Sequence, residues 1–100
     1  NMILIHVSAM VKEEAVSAFE RALRGVVDDA RQTAGCVKYE WYRAADTRQR
    51  YVIYGEFETK EHFEAYLNSA VVERIGVELI PLLTTKPEFK HYEASVLEAS

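Results

Sequence analysis

The spacing of apolar positions changes along the chain, and each change marks an element. Ile3, Ile5, Val7 and Ala9 alternate with Leu4, His6, Ser8 and Met10, the two-residue period of a strand. From Lys12 the spacing lengthens, with Val16, Phe19, Ala22 and Leu23, Val26 and Val27, and Ala30 recurring at helical intervals. That pattern is one face of an amphipathic helix whose wet side carries Glu13, Glu14, Glu20, Arg21, Arg24 and Asp28. Glu13 and Glu14 suit the positive end of the helix dipole, and Gly35 suits the turn just past the other end. Val37 to Arg43 is rich in β-forming aromatics and predicts a second strand. The polar stretch from Ala44 to Gln49, centred on Asp46-Thr47, predicts a hairpin loop before a third strand from Arg50 to Glu58. Thr59 is placed to cap a second helix with Phe63, Tyr66, Leu67 and Ala70 on one face, its pattern continuing loosely to Leu79. Pro81 and Pro87 bracket a loop, and Glu88 to Ala94 is a short last strand.

The order β-α-β-β-α-β predicts an α+β fold, a ferredoxin-like sandwich in which two helices cover one face of a four-stranded antiparallel sheet. One domain is expected over residues 2–94, with residues 95–100 as a tail with few anchors. Asn1, ahead of Met2, reads as a cloning remnant. No positively charged region opens the chain, and the apolar run from Ile75 to Leu83 is broken by Glu78 and Pro81. Neither a signal peptide nor a transmembrane helix is therefore expected.

Two helices leave the second face of the sheet uncovered. That face is assigned Leu4, His6, Ser8 and Met10 from the first strand and Tyr51, Ile53, Gly55 and Phe57 from the third. Pairing Arg43 with Tyr51 would add Val37, Tyr39 and Trp41 to it. Roughly 400 Å² of such surface is too apolar to leave wet, so a second copy of the chain is expected to cover it as a homodimer. Space left between the second helix and the sheet would form a pocket lined by aromatics and a histidine.

Composition narrows the partners. An apolar share of 49% in 100 residues excludes a disordered chain. Twelve Lys and Arg against sixteen Asp and Glu leave a net charge of −4, which argues against a nucleic-acid or membrane partner. The single cysteine, Cys36, excludes an internal disulfide and a multi-thiolate zinc site, and reads as a buried structural thiol. His62, on the surface of the second helix, and His91, beside Phe89 in the last strand, are given no role, and no metal-ligand spacing is present. A compact, cytoplasmic protein is expected.

Two stretches carry a resemblance: Gly35-Cys36-Val37-Lys38-Tyr39-Glu40, and Tyr51 through Ser69 with its Tyr54-Gly55-Glu56-Phe57 and Phe63-Glu64-Ala65-Tyr66-Leu67. Together with the hairpin between them they resemble the antibiotic biosynthesis monooxygenase superfamily, the dimeric α+β barrel group. The resemblance implies a homodimer and a cofactor-independent enzyme that oxidises a small aromatic or quinol with dioxygen, using neither metal nor flavin. It makes His6 the candidate base and Tyr66 the group that orients the substrate oxygen, with Leu4, Tyr39, Trp41, Ile53 and Phe57 as substrate-binding walls. Members often carry a glutamate in strand three and a histidine in helix two, where this chain has Gly55 and Tyr66. The haem-degrading relatives use a histidine ligand after helix two that falls here at Gly76, so haem is not expected. Relatives that act on a phosphorylated sugar direct attention to Arg43, Arg48 and Arg50, which nothing in the sequence brings to the pocket. A sister group of cyclases shares the strand-one histidine and the helix-two tyrosine. Polyketide cyclisation or isomerisation in the same pocket is thus an alternative, as is a non-catalytic dimeric module that binds small molecules.

Overall fold

The computed structural model describes residues 1–98. The alternating run forms β1 (Met2–Met10), and after a single 3₁₀ turn the helical run forms α1 (Val16–Ala30). The hairpin strands are β2 (Cys36–Arg43) and β3 (Arg50–Phe57), and the last strand is β4 (Glu88–Ala94). All neighbours pair antiparallel in the order β2-β3-β1-β4, the ferredoxin-like arrangement expected. Gly35 ends the α1–β2 turn at φ 75°, where a Cβ would come 2.1 Å from the His62 ring, so no other residue fits there.

The second helical region is broken into pieces. Thr59 caps α2 (Lys60–Leu67) by accepting a hydrogen bond from the His62 backbone N–H at 3.1 Å. At the other end Asn68 donates to the Glu64 carbonyl at 3.1 Å and Ser69 to the Tyr66 carbonyl at 2.6 Å. These short polar side chains compete with the helical ladder and stop it. α3 (Ala70–Arg74) then runs into a π-helical turn (Ile75–Leu79) and a 3₁₀ turn (Ile80–Leu82) started at Pro81. Arg74 ties this region to the end of α1 through Asp29 and holds Glu78 within it, both at 2.6 Å. Among the described residues no helix is long and apolar enough to cross a membrane. Residues 95–98 have no regular structure, and the rest of the expected tail lies outside the described residues.

The core lies between the sheet and the helices. Ile3, Ile5 and Val7 face it from β1, Tyr51, Ile53 and Phe57 from β3, and Tyr39 from β2. Phe19, Leu23, Val26 and Val27 meet them from α1, and Phe63 and Tyr66 from α2. This corrects the expected composition of the open face. The hairpin does pair Arg43 with Tyr51, and Trp41 with Ile53. But β1 pairs Ile5 with Gly55 and His6 with Tyr54, so the aromatic stripe of the hairpin lies with Ile3, Ile5 and Val7 under the helices. The physical reason is that the more apolar stripe of each strand turns to the same core. Val37 leaves that stripe altogether, because a bulge between Cys36 and Lys38 turns it to solvent.

The open face therefore carries Leu4, His6, Ser8 and Met10 with Val52, Tyr54 and Glu56, flanked by Lys38, Glu40 and Tyr42 on β2 and Lys90 and Tyr92 on β4. Tyr42 donates to Glu40 and Tyr54 to Glu56. This surface is mixed rather than wholly apolar, with Tyr42 and Tyr92 about half exposed.

Candidate functional site

Tyr39 and Tyr66 meet where α2 crosses the sheet. Tyr39 sits opposite Gly55, and the missing side chain there is what lets its ring lie down. A Cβ at position 55 would stand 2.9 Å from Ile5 Cγ1 and 3.1 Å from Tyr39 Cδ2. The helical spacing of Phe63 and Tyr66 aims both at this spot. The two phenolic oxygens are 2.7 Å apart, and both side chains are buried. Phe57 packs on Tyr66 at 4.6 Å between ring centroids and on Phe63 at 6.0 Å. Burial raises the pKa of both phenols. Tyr66 is pushed up to about 12, and Tyr39 higher still, by burial first and then by the charge and hydrogen bond of the neighbouring Tyr66. At neutral pH both are hydroxyls, one donating to the other.

Next to this cluster is an apolar cleft between the sheet and the π-helical region. Val7, Ile53, Phe19 and Phe89 form its floor and sides, and Leu79 and Ile80 close it. Every lining side chain is apolar, and the cavity holds about 50 Å³. That is well below the roughly 150 Å³ that accommodates a benzene-sized guest. A guest of that size does not fit the cleft as it stands. Leu79 and Ile80 stand where the π-helical turn passes into the 3₁₀ turn, and Ile80 is 39% exposed.

His91 borders both regions. It pairs with Ile5, so its ring projects from β4 on the helix side of the sheet. The imidazole meets Phe63 and Phe89 edge-on, each at 4.6 Å, and Phe89 is a wall of the cleft. One side of the ring is open to solvent, yet desolvation by these neighbours lowers its pKa below the ordinary histidine value. It is therefore a neutral imidazole at pH 7, able to accept a proton. Sequence reasoning passed over it, although Phe89 and His91 stand two residues apart in a strand and must share a face.

The residues named from sequence divide between two faces. Tyr39, Trp41, Ile53, Phe57 and Tyr66 all lie on the helix side. Of these, Ile53 lines the cleft, Tyr39, Phe57 and Tyr66 form the adjoining cluster, and Trp41 lies farther along against Tyr51 at 5.8 Å. His6 and Leu4 do not join them. His6 is exposed on the open face between Tyr54 and Lys90, and Leu4 lies between Glu56 and Tyr92. The sheet thus separates His6 from Tyr66 within one chain. His62 is held by Thr59, whose hydroxyl is 2.9 Å from Nδ1. Cys36 is only partly buried, but enough for desolvation to raise its pKa and keep it a thiol. Among the described residues no three His, Cys, Asp or Glu side chains gather in a way that could hold a metal ion.

Comparison with known proteins agrees with this architecture. Rv0793 from Mycobacterium tuberculosis superposes with a TM-score of 0.88 at 21% identity, over 100% of each chain. Protein SO0527 from Shewanella oneidensis gives 0.82 at 23%, over 91% of this chain and 88% of its own. A conserved protein from Methanosarcina mazei gives 0.88 at 18%, over 94% and 93%. At these identities the likeness establishes the fold. No curated protein matches the chain. A family model does: the pattern described as antibiotic biosynthesis monooxygenase matches residues 2–95, which hold all four strands, the aromatic cluster and the cleft. By fold and by sequence pattern alike, the chain belongs to the antibiotic biosynthesis monooxygenase family.

Proposed function

We propose that the chain binds a small aromatic or quinol-type molecule in the helix-side cleft and oxidises it with dioxygen, without a metal or flavin. The observation that carries this reading is the apolar cleft with a neutral imidazole, His91, against its Phe89 wall. A substrate whose acidic group extends past the Phe89 wall loses a proton to His91, and its anion passes electrons to dioxygen. One oxygen atom enters the product as a quinone carbonyl and the other leaves as water. The chain contributes a base, apolar walls and exclusion of water. Tyr66, with Tyr39 behind it, supplies a hydroxyl that can orient the substrate oxygen once the closing segment moves. His6 takes no part in this site.

The supporting experiment is oxygen uptake with an anthrone-type substrate, run with and without a metal chelator. Uptake that is indifferent to the chelator supports the reading. Turnover that continues at the same rate without oxygen would replace it with cyclase- or isomerase-like proton transfer. One observation favours a binding role without turnover, namely that no polar side chain lines the cleft. That reading predicts quenching of the single tryptophan, Trp41, by the ligand and no oxygen uptake.

We also propose that two copies associate through the open sheet face. Leu4, Met10, Val52 and Tyr54 form its apolar centre, and the half-exposed Tyr42 and Tyr92 flank it. His6 would then be an interface residue.

A further inference from the structure

We propose that the groove between α1 and the β2–β3 hairpin is a binding site for a small phosphate-bearing anion, separate from the cleft. Arg21 and Arg24 on α1 and Arg43 and Arg48 from the hairpin line one concave region of about 480 Å³. The only carboxylate lining it is Glu20, and that group is already engaged. It accepts a hydrogen bond from the Tyr51 hydroxyl at 2.5 Å, meets Arg43 at 3.3 Å, and lies 3.7 Å from Arg24. Four guanidiniums against one carboxylate leave the groove at +3, so the remainder of a chain whose total is −4 carries −7.

The guanidiniums are also arranged. Arg24 lies over the Trp41 ring at 5.1 Å, and Glu20 holds Arg43, so two of the four are positioned by contacts that leave donors free. Arg43 and Arg48 also face an adjoining concavity at the hairpin tip, where Asp46 is the one acidic neighbour. Planar guanidinium forks gathered in one groove can recognise phosphate oxygens two at a time. The strongly negative remainder of the chain repels an extended polyanion, so the occupant fitted by the charge distribution is compact.

The test is calorimetric titration of the full chain with inorganic pyrophosphate at low ionic strength. One binding event is expected. Arg48→Gln and Arg43→Gln should each weaken it by about fivefold or more, and Lys90→Gln, an equal loss of charge on the opposite sheet face, should leave it unchanged. Arg48 lies in the exposed hairpin loop, so its variant remains informative should Arg43→Gln disturb the Glu20 contacts. Absence of binding at millimolar pyrophosphate would overturn the proposal. So would equal weakening by Lys90→Gln, or binding confined to a long polyanion such as heparin.

Discussion

The hydroxyl oxygens of Tyr39 and Tyr66 stand 2.7 Å apart at the seam between the sheet and α2, each the other's hydrogen-bond partner. The contact joins positions 27 residues apart and locks α2 onto the hairpin. It exists because Gly55 leaves room for the Tyr39 ring. At this seam the chain has a glycine and two phenols that complete one another.

Removing both hydroxyls should therefore cost less than the sum of the two single losses. Tyr39→Phe or Tyr66→Phe alone leaves a buried oxygen unpaired, at about 1–3 kcal/mol. The double variant should lose less than the sum of the singles, with a coupling of about 1 kcal/mol. Urea unfolding of the four proteins checks this. Strictly additive losses would mean that the hydroxyls do not interact.

Alkaline pH should unfold the protein through the same pair. The Tyr66 pKa rises from its ordinary value of 10 to about 12 in the fold, and Tyr39 is shifted in the same direction. Above pH 10 the unfolded chain has released protons that the folded chain still holds. The unfolded state then binds fewer protons, so stability falls as pH rises. The tyrosinate absorbance should show a late fraction that titrates only as the near-ultraviolet circular dichroism collapses. Tyr66→Phe should reduce that fraction.

Most of the architecture was legible because it rests on local signals. The change from two-residue to helical period located β1 and α1, the Thr59 cap appeared where expected, and Gly35 took the left-handed turn. The hairpin adopts the one register that was considered, Arg43 opposite Tyr51. The face of β1 was not legible, because no turn joins β1 to β3 and both of its stripes contain apolar residues. Choosing Leu4 and His6 over Ile3 and Ile5 as partners of the aromatic stripe moved the imidazole to the wrong side of the sheet relative to Tyr66. A pocket between the second helix and the sheet was expected, but the lining of the cleft was not legible, for a related reason. Its walls come from β1, α1, β3, the π-helical turn and β4, and only tertiary packing brings Phe19, Leu79 and Phe89 together.

Gly55 should tolerate no side chain. Gly55→Ala places a methyl 2.9 Å from Ile5 Cγ1 and 3.1 Å from the Tyr39 ring, between two buried residues. Overpacking of this kind costs about 1–3 kcal/mol. Thermal unfolding should show the loss, and Gly76→Ala, where nothing lies within 4 Å of the new Cβ, serves as its comparison.

The open sheet face should pair two chains. Light scattering at micromolar concentration should give about twice the 11.5 kDa chain mass. Tyr54→Glu, which adds a charge in the middle of that face beside Glu56, should shift the protein toward monomer without altering its circular dichroism. A wild-type monomer would contradict the interface.

The division of the two histidines between faces of the sheet is tested most directly by oxygen uptake with an anthrone-type substrate, compared across wild type, His91→Gln and His6→Ala. The account predicts a fall of about 100-fold for His91→Gln, in the range of a lost general base, and wild-type rates for His6→Ala. A rate that collapses with His6→Ala and survives His91→Gln would place the chemistry on the open face and contradict it.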